Sequence, residues 1–478
     1  MKAKMKKILF ILGGSAVALV LAAVIFVLTF NINSYKPRIE AAVSGGTGMK
    51  VLINGKMKLT LFPLASVSLE DILIQNRSAD VASVKKVEME IRLLPLLWRE
   101  VHIQQVGLIS PAFFITKDKS GHFNVEAPEK KPAGQEPPSE PLKTEKIFIK
   151  KGRLLYVDET SGRKTEANEC DLAINNFSAG GREFPVTFSF DGDLSCREVK
   201  AEELRISDIR VVIKARQGMF EADPVTMKIF GGNGRGSIKS VMTGKSPEYS
   251  VDLAITKLRF EEVLEQFKQK RSTRGELDLK SHLTMKGKNA DEITRTLQGE
   301  LSLRGQNLFH EGLDLDRMME KYERSQNFNL IDVGALFVAG PLGTLLTRGY
   351  SLGSSVYEES LGGKSTIHQL VSDWKIKDGV AEAEDVALST RQNRVALKGR
   401  LDFVNAQFKN VTVAVLDEKG CARYSQKIQG PFRQPRVEKA GTLRSIAGPV
   451  LNLYVKTEKL LQGGRCDIFY AGSVKHPK

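Results

Sequence analysis

Along most of the chain apolar and polar residues take turns. Phe184, Val186, Phe188 and Phe190 are interleaved with Pro185, Thr187, Ser189 and Asp191, and Tyr249, Val251, Leu253 and Ile255 with Ser250, Asp252, Ala254 and Thr256. Leu277, Leu279, Leu283 and Met285 sit between Glu276, Asp278, Lys280, His282, Thr284 and Lys286, and the run Val395 to Phe403 does the same against Lys398, Arg400 and Asp402. A period of two sends successive side chains to opposite faces of a sheet, so each run predicts a strand with one apolar and one wet face. Turn-forming residues separate the runs: Asp191-Gly192, Gly231-Gly232-Asn233-Gly234, Lys286-Gly287-Lys288-Asn289 and Asp378-Gly379. Past residue 142 the chain therefore reads as mainly antiparallel β. Helical spacing is confined to three stretches. Ser34 to Val43 has Ser34 as a cap, Pro37 in its first turn and Gly45-Gly46 at its end; Phe260 to Lys270 places Phe260, Val263, Leu264 and Phe267 on one face; Leu313 to Tyr322 does so with Leu315, Met318, Met319 and Tyr322.

Three segments break this texture. Ile8 to Phe30 is an uncharged run long enough, at about 1.5 Å per residue, to cross a hydrocarbon layer of roughly 30 Å. Glu126 to Pro141 holds Pro128, Pro132, Pro137, Pro138 and Pro141 among charged residues, which suits neither ladder nor helix. Leu330 to Leu346 is apolar but contains Asp332, Gly334, Gly340, Pro341 and Gly343, and reads as an irregular segment packed on the protein rather than a second span. The expected organisation is a tail at 1–7, an anchor at 8–30, a compact domain at 31–127, a linker or long loop at 128–142, a β domain at 143–440 and a C-terminal segment at 441–478.

Charge then narrows the partners. Lys and Arg exceed Asp and Glu by 71 − 56 = 15, a surplus that suits nucleic acid, an anionic membrane surface or a plain basic surface. Lys2, Lys4, Lys6 and Lys7 precede the apolar run, so the N-terminus is expected in the cytoplasm with everything after Asn31 exported, which argues against nucleic acid. A cleaved leader is the rival: Ala16-Val17-Ala18 fits a cleavage site, but apolar residues continue well beyond it. The cysteines Cys170, Cys196, Cys421 and Cys466 include no Cys-x-x-Cys pair and lie on the exported side, where disulfides form. Three pairings are open, with proximity in the chain favouring Cys170 with Cys196 and Cys421 with Cys466.

Reactive motifs are weak. Gly349-Tyr350-Ser351-Leu352-Gly353 has the spacing of a nucleophile elbow, but no apolar strand leads into it and no helix follows. Gly244-Lys245-Ser246 and Gly363-Lys364-Ser365 lack the upstream glycine of a phosphate loop, and the six histidines, including His368 and His476, show no ligand spacing. The expectation is a protein without catalytic residues, metal or cofactor. What remains is a packing question: many one-sided strands need their apolar face covered, either by a second sheet or by something apolar that is not protein.

Several stretches bear on that question. "GTGMKVLINGKMKLTLFPLASVSLEDILIQN" from Gly46, "LLPLLWREVHIQQVGLISPAFFI" and "GHFNVEAP" follow the basic anchor; "MKIFGGNGRGSIKS" from Met227, "LQGELSLRGQNLFHEGLDLDRMM" from Leu297, and "DGVAEAEDVAL", "KGRLDF" and "GPFRQPRV" come later. In order and spacing these resemble the AsmA family, inner-membrane-anchored and mainly periplasmic proteins of Gram-negative bacteria, with the C-terminal-like part beginning near residue 225. The resemblance implies a chorein-like N-terminal domain, then an elongated, curled antiparallel β-sheet with a few short helices and a hydrophobic groove. It implies a role in carrying phospholipid between the inner and outer membranes and in outer-membrane integrity, with envelope proteins as partners at the C-terminal end. The groove would be lined by Val186, Phe188, Phe190, Val225, Met227, Ile229, Val251, Leu253, Ile255, Leu277, Leu279, Leu283 and Met285. The competing expectation is a non-transporting assembly or regulatory factor for outer-membrane proteins, with the same fold and a self-filled core.

Overall fold

The computed structural model describes residues 32–60, 65–77, 79–92, 103–126, 142–179, 188–266, 273–312, 314–317, 319–320, 363–432, 434–437 and 467–477. The proposed span Ile8 to Phe30 lies outside them, and no helix among the described residues is long and apolar enough to cross a membrane. The proline-rich stretch from Pro128 to Pro141, the insert Leu330 to Leu346, Ser351 and Cys466 also lie outside. The described chain is mainly β, with few short helices, and divides into two compact units: 1–202 with 212–217, and 203–211 with 218–478.

The first unit opens with a 3-10 turn, Ile32–Tyr35, that runs into helix α1, Lys36–Thr47. The expected Ser34 cap is not used: Tyr35 stands at the cap position without a side-chain bond, and Pro37 occupies the first turn, where its missing N–H costs nothing. The helix does not end at Gly45-Gly46 but runs on to Thr47, where Gly48 takes the left-handed conformation (φ 72°) and donates to Ser44 O. The polar side chains of this region serve the sheet beside it. Asn33 Oδ1 accepts from Met57 N at 2.9 Å, Glu40 Oε1 from Ile53 N at 2.6 Å, and Ser44 Oγ from Val51 N at 3.0 Å. Those amides belong to the short strands β1 (Lys50–Ile53) and β2 (Met57–Thr60), which both pair with β3 (Ala65–Asn76), so the helix region satisfies donors that a strand edge would leave open. Val51, Ile53, Met57, Leu69, Ile72 and Val84 form the buried core here, with Ile39 of α1 against it.

From β3 the ladder continues through β4 (Ala79–Ile91) to β5 (Ile103–Lys117) in antiparallel register. The next strand, β6 (Leu142–Asp158), pairs with β5 in parallel, so the intervening chain returns along the whole strand. β7 (Arg163–Ala179) and β8 (Phe188–Ala201) follow antiparallel. The Asp191-Gly192 pair is not a turn: both residues lie inside β8, opposite Asn175 and Ile174, and a Cβ on Gly192 would come within 3.3 Å of the Phe190 ring. Glycine there serves close approach rather than reversal.

The second unit includes part of β9 (Leu204–Arg216) and then an antiparallel succession: β10 (Met219–Ile229), β11 (Gly232–Val241), β12 (Glu248–Arg259), β14 (Glu276–Lys286), β15 (Gln298–Glu311), β16 (Lys364–Lys377), β17 (Val380–Ser389), β18 (Arg394–Asp402), β19 (Gln407–Leu416), β20 (Ala422–Pro431) and β21 (Arg436–Val437). The two-residue β13 (Thr273–Arg274) adds to β15. Asp378-Gly379 makes the expected tight turn, with both residues at positive φ, whereas of the Gly231 to Gly234 cluster only Gly231 lies in the turn. Helix α2 (Phe260–Gln266) buries Phe260 and Val263, and α3 (Ala290–Thr296) is capped by Asn289, whose side chain accepts from Glu292 N. One large core holds the α2 residues with Leu258, Leu277, Leu308, Leu315, Met319 and the inward rows of β16–β20. On the opposite face a second cluster, with Ala387, Ala396 and Ala414 fully buried, lies under the C-terminal stretch through Tyr470 and Val474.

Asp402 holds the β18–β19 turn. It accepts from Asn405 N at 2.9 Å, Asn405 Nδ2 at 2.8 Å and Lys409 Nζ at 2.5 Å, with its side chain 1% exposed. Burial alone would raise its pKa, but the hydrogen bonds and charge of Asn405 and Lys409 prevail and hold it from 3.8 down to about 2. The folded state therefore prefers the ionised form. Its contribution is complete above the unfolded pKa near 4 and falls away as pH drops from about 4 towards 2. Asp402→Asn should cost about 1–2 kcal/mol at pH 7. In denaturant melts at pH 7 and pH 2.5 the gap between the two proteins should narrow at the lower pH.

Candidate functional site

In the second unit strand register gathers the expected apolar residues on one face. Val225, Gly236 and Leu253 are cross-strand neighbours; so are Met227, Gly234, Ile255 and Leu279, then Val251 with Leu283 and Tyr249 with Met285, while Ile229 faces Gly232. Strict alternation carries this row only as far as Ile255. Lys257 adopts φ 54° and shifts the register, so the row resumes at Leu258, opposite Leu277. On this face β11 presents Gly232, Gly234 and Gly236, then Ile238 opposite Val251 and Ser240 opposite Tyr249, and Met227 folds over one of the glycines: a Cβ on Gly234 would lie 2.8 Å from Met227 Cγ.

Cover over this face is uneven. Ile255, Leu277 and Leu279 are 3%, 1% and 2% exposed and belong to the protein core with α2. Ile229, Leu253, Leu283 and Met285 only rest partly covered against that core, and Met227 and Val251 are half-covered outside it. Val225 is buried but outside the core cluster. The thirteen expected residues thus divide into a filled end and a half-covered end, with Phe188 and Phe190 in the other unit and Val186 outside the described residues.

The first unit contains a second half-covered face that the sequence reading missed. Register aligns Met89, Val106, Ile147 and Ile174 in one row, and Val87, Leu108, Ile149, Leu172 and Leu194 in the next. All are partly covered, and on β5–β8 only Leu108 touches the core under α1. Phe188 and Phe190 share a β8 face with Leu194, and the Phe188 ring meets Phe177 edge-on at 5.7 Å between centroids. The disulfide Cys170–Cys196 joins directly opposed residues of β7 and β8, on the same side as Leu172 and Leu194. Cys421 is disulfide-bonded too. The reverse face of β5–β6 is closed differently: the Phe148 ring lies over Gly107, where a Cβ would approach to 2.1 Å, with the ammonium groups of Lys146 and Lys150 within 5.9 and 5.4 Å of that ring.

The rows named on both faces are hydrocarbon, with Ser240, Tyr249 and Ser281 as the hydrogen-bonding side chains beside them in the second unit, so what they chiefly offer is apolar surface. The titratable groups of these strands point elsewhere. His282 meets Asp252 at 2.6 Å on an exposed face. His310 is buried against Thr273, 2.8 Å from its hydroxyl, and burial lowers its pKa. Among the described residues no group of three or more His, Cys, Asp or Glu side chains gathers as metal ligands do.

The AsmA family model matches residues 2–189 and 182–386. A relative, "AsmA family protein YhjG" of Escherichia coli (strain K12), is 24% identical over 243 residues, which is 47% of this chain and 33% of the relative. The matched stretch thus spans about a third of that protein. No solved structure matches.

Proposed function

The chain belongs to the AsmA family, and from that premise we propose that it is an envelope protein, anchored in the inner membrane by Ile8 to Phe30, that carries phospholipid towards the outer membrane. The observation that carries this reading is the contrast in cover: β16–β20 fill their own core, while β5–β8 and the open ends of β10–β14 keep aliphatic rows half-covered. A self-packed protein would gain by covering those rows, since each buried CH2 contributes about 0.8 kcal/mol. Acyl chains would supply the same gain, with head groups remaining in water at the strand margins. Transfer is then partitioning, and no bond is made or broken. The rival reading, an assembly factor with a filled core, draws its support from the core that α2 and the inward residues of β12, β14 and β15 share with β16–β20.

The test is a pair of charges on the half-covered face of the first unit. Ile149→Asp with Leu194→Asp, both partly exposed and outside the core under α1, leaves each carboxylate a route to water, so the detergent-extracted full chain should accumulate near the level of the unsubstituted protein. Native mass spectrometry should find its bound phospholipid lost. A variant that accumulates and keeps its lipid would sink the proposal, as would unsubstituted protein carrying no lipid.

A further inference from the structure

On the outward face of the second unit a cavity of about 450 Å³ is lined by Gln306, His368, Gln369, Ser389, Thr390, Arg391, Lys475, His476 and Pro477. Its floor follows from strand register: Gln306 of β15, Gln369 of β16 and Ser389 of β17 are successive cross-strand neighbours, and Gln369 shares a face with Val371 of the alanine-rich cluster. This face is opposite the large core, so the cavity is separate from the apolar rows described above.

The outer wall is the C-terminal stretch, which is firmly seated. Tyr470 OH and Ser473 N both donate to Asp385, Tyr470 N donates to Gly420 O, and Arg394 Nη1 donates to Val474 O at 3.2 Å. Lys475 and His476 follow directly and are brought opposite Arg391 and His368. Four nitrogen-bearing basic residues from three separate chain segments therefore line one cavity, with the amides of Gln306 and Gln369 and the Ser389 hydroxyl between them, while His476 Nδ1 already meets Pro477 O at 2.7 Å. Among the described residues no carboxylate lines the cavity. The acidic group behind its wall, Asp316, accepts from Thr390 Oγ1 and Asn393 Nδ2.

We propose that this cavity binds a phosphoryl group. Its donors outnumber what a carboxylate or a phosphodiester, each with two terminal oxygens and one charge, can accept, while a phosphate monoester offers three acceptor oxygens and up to two negative charges. Arg391 supplies a planar fork and Lys475 a point charge, the two cation types that phosphate sites combine. Because the C-terminal stretch forms one wall, occupancy also ties residues 475–477 to the β16–β17 end of the sheet.

The source of the phosphoryl group, soluble or a lipid head group, is separated by the choice of probe. Isothermal titration of the detergent-purified full chain with inorganic phosphate, glycerol 3-phosphate, dihexanoyl phosphatidic acid and, as the diester control, dihexanoyl phosphatidylcholine compares them. Arg391→Gln with Lys475→Gln removes two exposed cations without touching the core, and circular dichroism melts check that the fold is kept. Saturable binding of inorganic phosphate or glycerol 3-phosphate, weakened at least about tenfold in the double variant, supports a soluble ligand. Binding of the short-chain phosphatidic acid alone, with the same loss, supports a head group. Absence of saturable binding by every probe, or binding the double variant leaves unchanged, overturns the site. The aspartate pair at Ile149 and Leu194 should leave glycerol 3-phosphate binding intact, so the lipid path and this cavity fail independently.

Discussion

Leu279→Asp should remove most of the protein from the cell, whereas Leu253→Asp, on the same sheet face, should leave it close to normal abundance. Leu279 is 2% exposed and packed in the large core with Leu258, Leu277 and Leu303, none of which can accept or donate a hydrogen bond from its side chain. An aspartate there is either an unpaired charge or a neutral acid without partners, and also deletes a core side chain, for a combined cost of at least about 4 kcal/mol. That is comparable to the whole stability of many domains. Leu253 sits opposite Gly236 and Ser281, partly covered, where a carboxylate can stay hydrated at a cost of about 1 kcal/mol or less. Urea melts of the two purified variants give the comparison directly. Equal destabilisation would mean that the half-covered end is as filled as the core, and would remove the basis for a lipid path in the second unit.

Removing the Cys170–Cys196 bridge should be the other large effect. It closes a loop of 26 residues between directly opposed positions of β7 and β8, and chain-entropy reasoning gives about 3 kcal/mol for a loop of that size. The strands it joins carry Leu172, Ile174 and Leu194, which no protein core covers, so little apolar burial stands behind the covalent link. Cys170→Ser with Cys196→Ser should therefore lower the denaturation midpoint of the first unit clearly, and limited proteolysis should cut first within β7 or β8. Unchanged midpoint and cleavage pattern would show that these strands are held by their ladder alone.

The legible part of this fold was its period. Alternation at Tyr249 to Ile255 and Leu277 to Met285 marked real strands whose apolar residues share one face, because both are free of distortion over those residues. Reading failed where geometry departs from period two. At Lys257 a left-handed residue moves the row by one, and Asp191-Gly192, a turn by composition, is strand because the Phe190 ring needs the space of a side chain. The filled and half-covered ends of one face could not be told apart, since Leu253 and Leu279 look alike in the sequence and differ only in what α2 and β15 bring above them. In the first unit Ile147-Phe148-Ile149 shows no alternation, Phe148 being held over Gly107 by the reverse face, so the row through Ile147 and Ile149 gave no signal. The pairing of Cys170 with Cys196 was one of the open options, and the register of β7 with β8 explains it.

The order of strand pairing has a consequence for how the chain acquires its structure. From β10 to β20 nearly every strand's partner is the one made just before it, so most can add to an existing edge as soon as they emerge, at low loop-closure cost; the join of β15 to β16, with residues 312–363 between them, is the long one. The parallel junction of β5 with β6 is different. β6 cannot begin to pair until the chain has doubled back the length of β5, and until then β5 presents an open edge of fifteen residues. Assembly from the N-terminus would therefore pause there, with the sheet behind it already formed, and pause again at β15, whose edge waits for the 312–363 segment before β16 can join it.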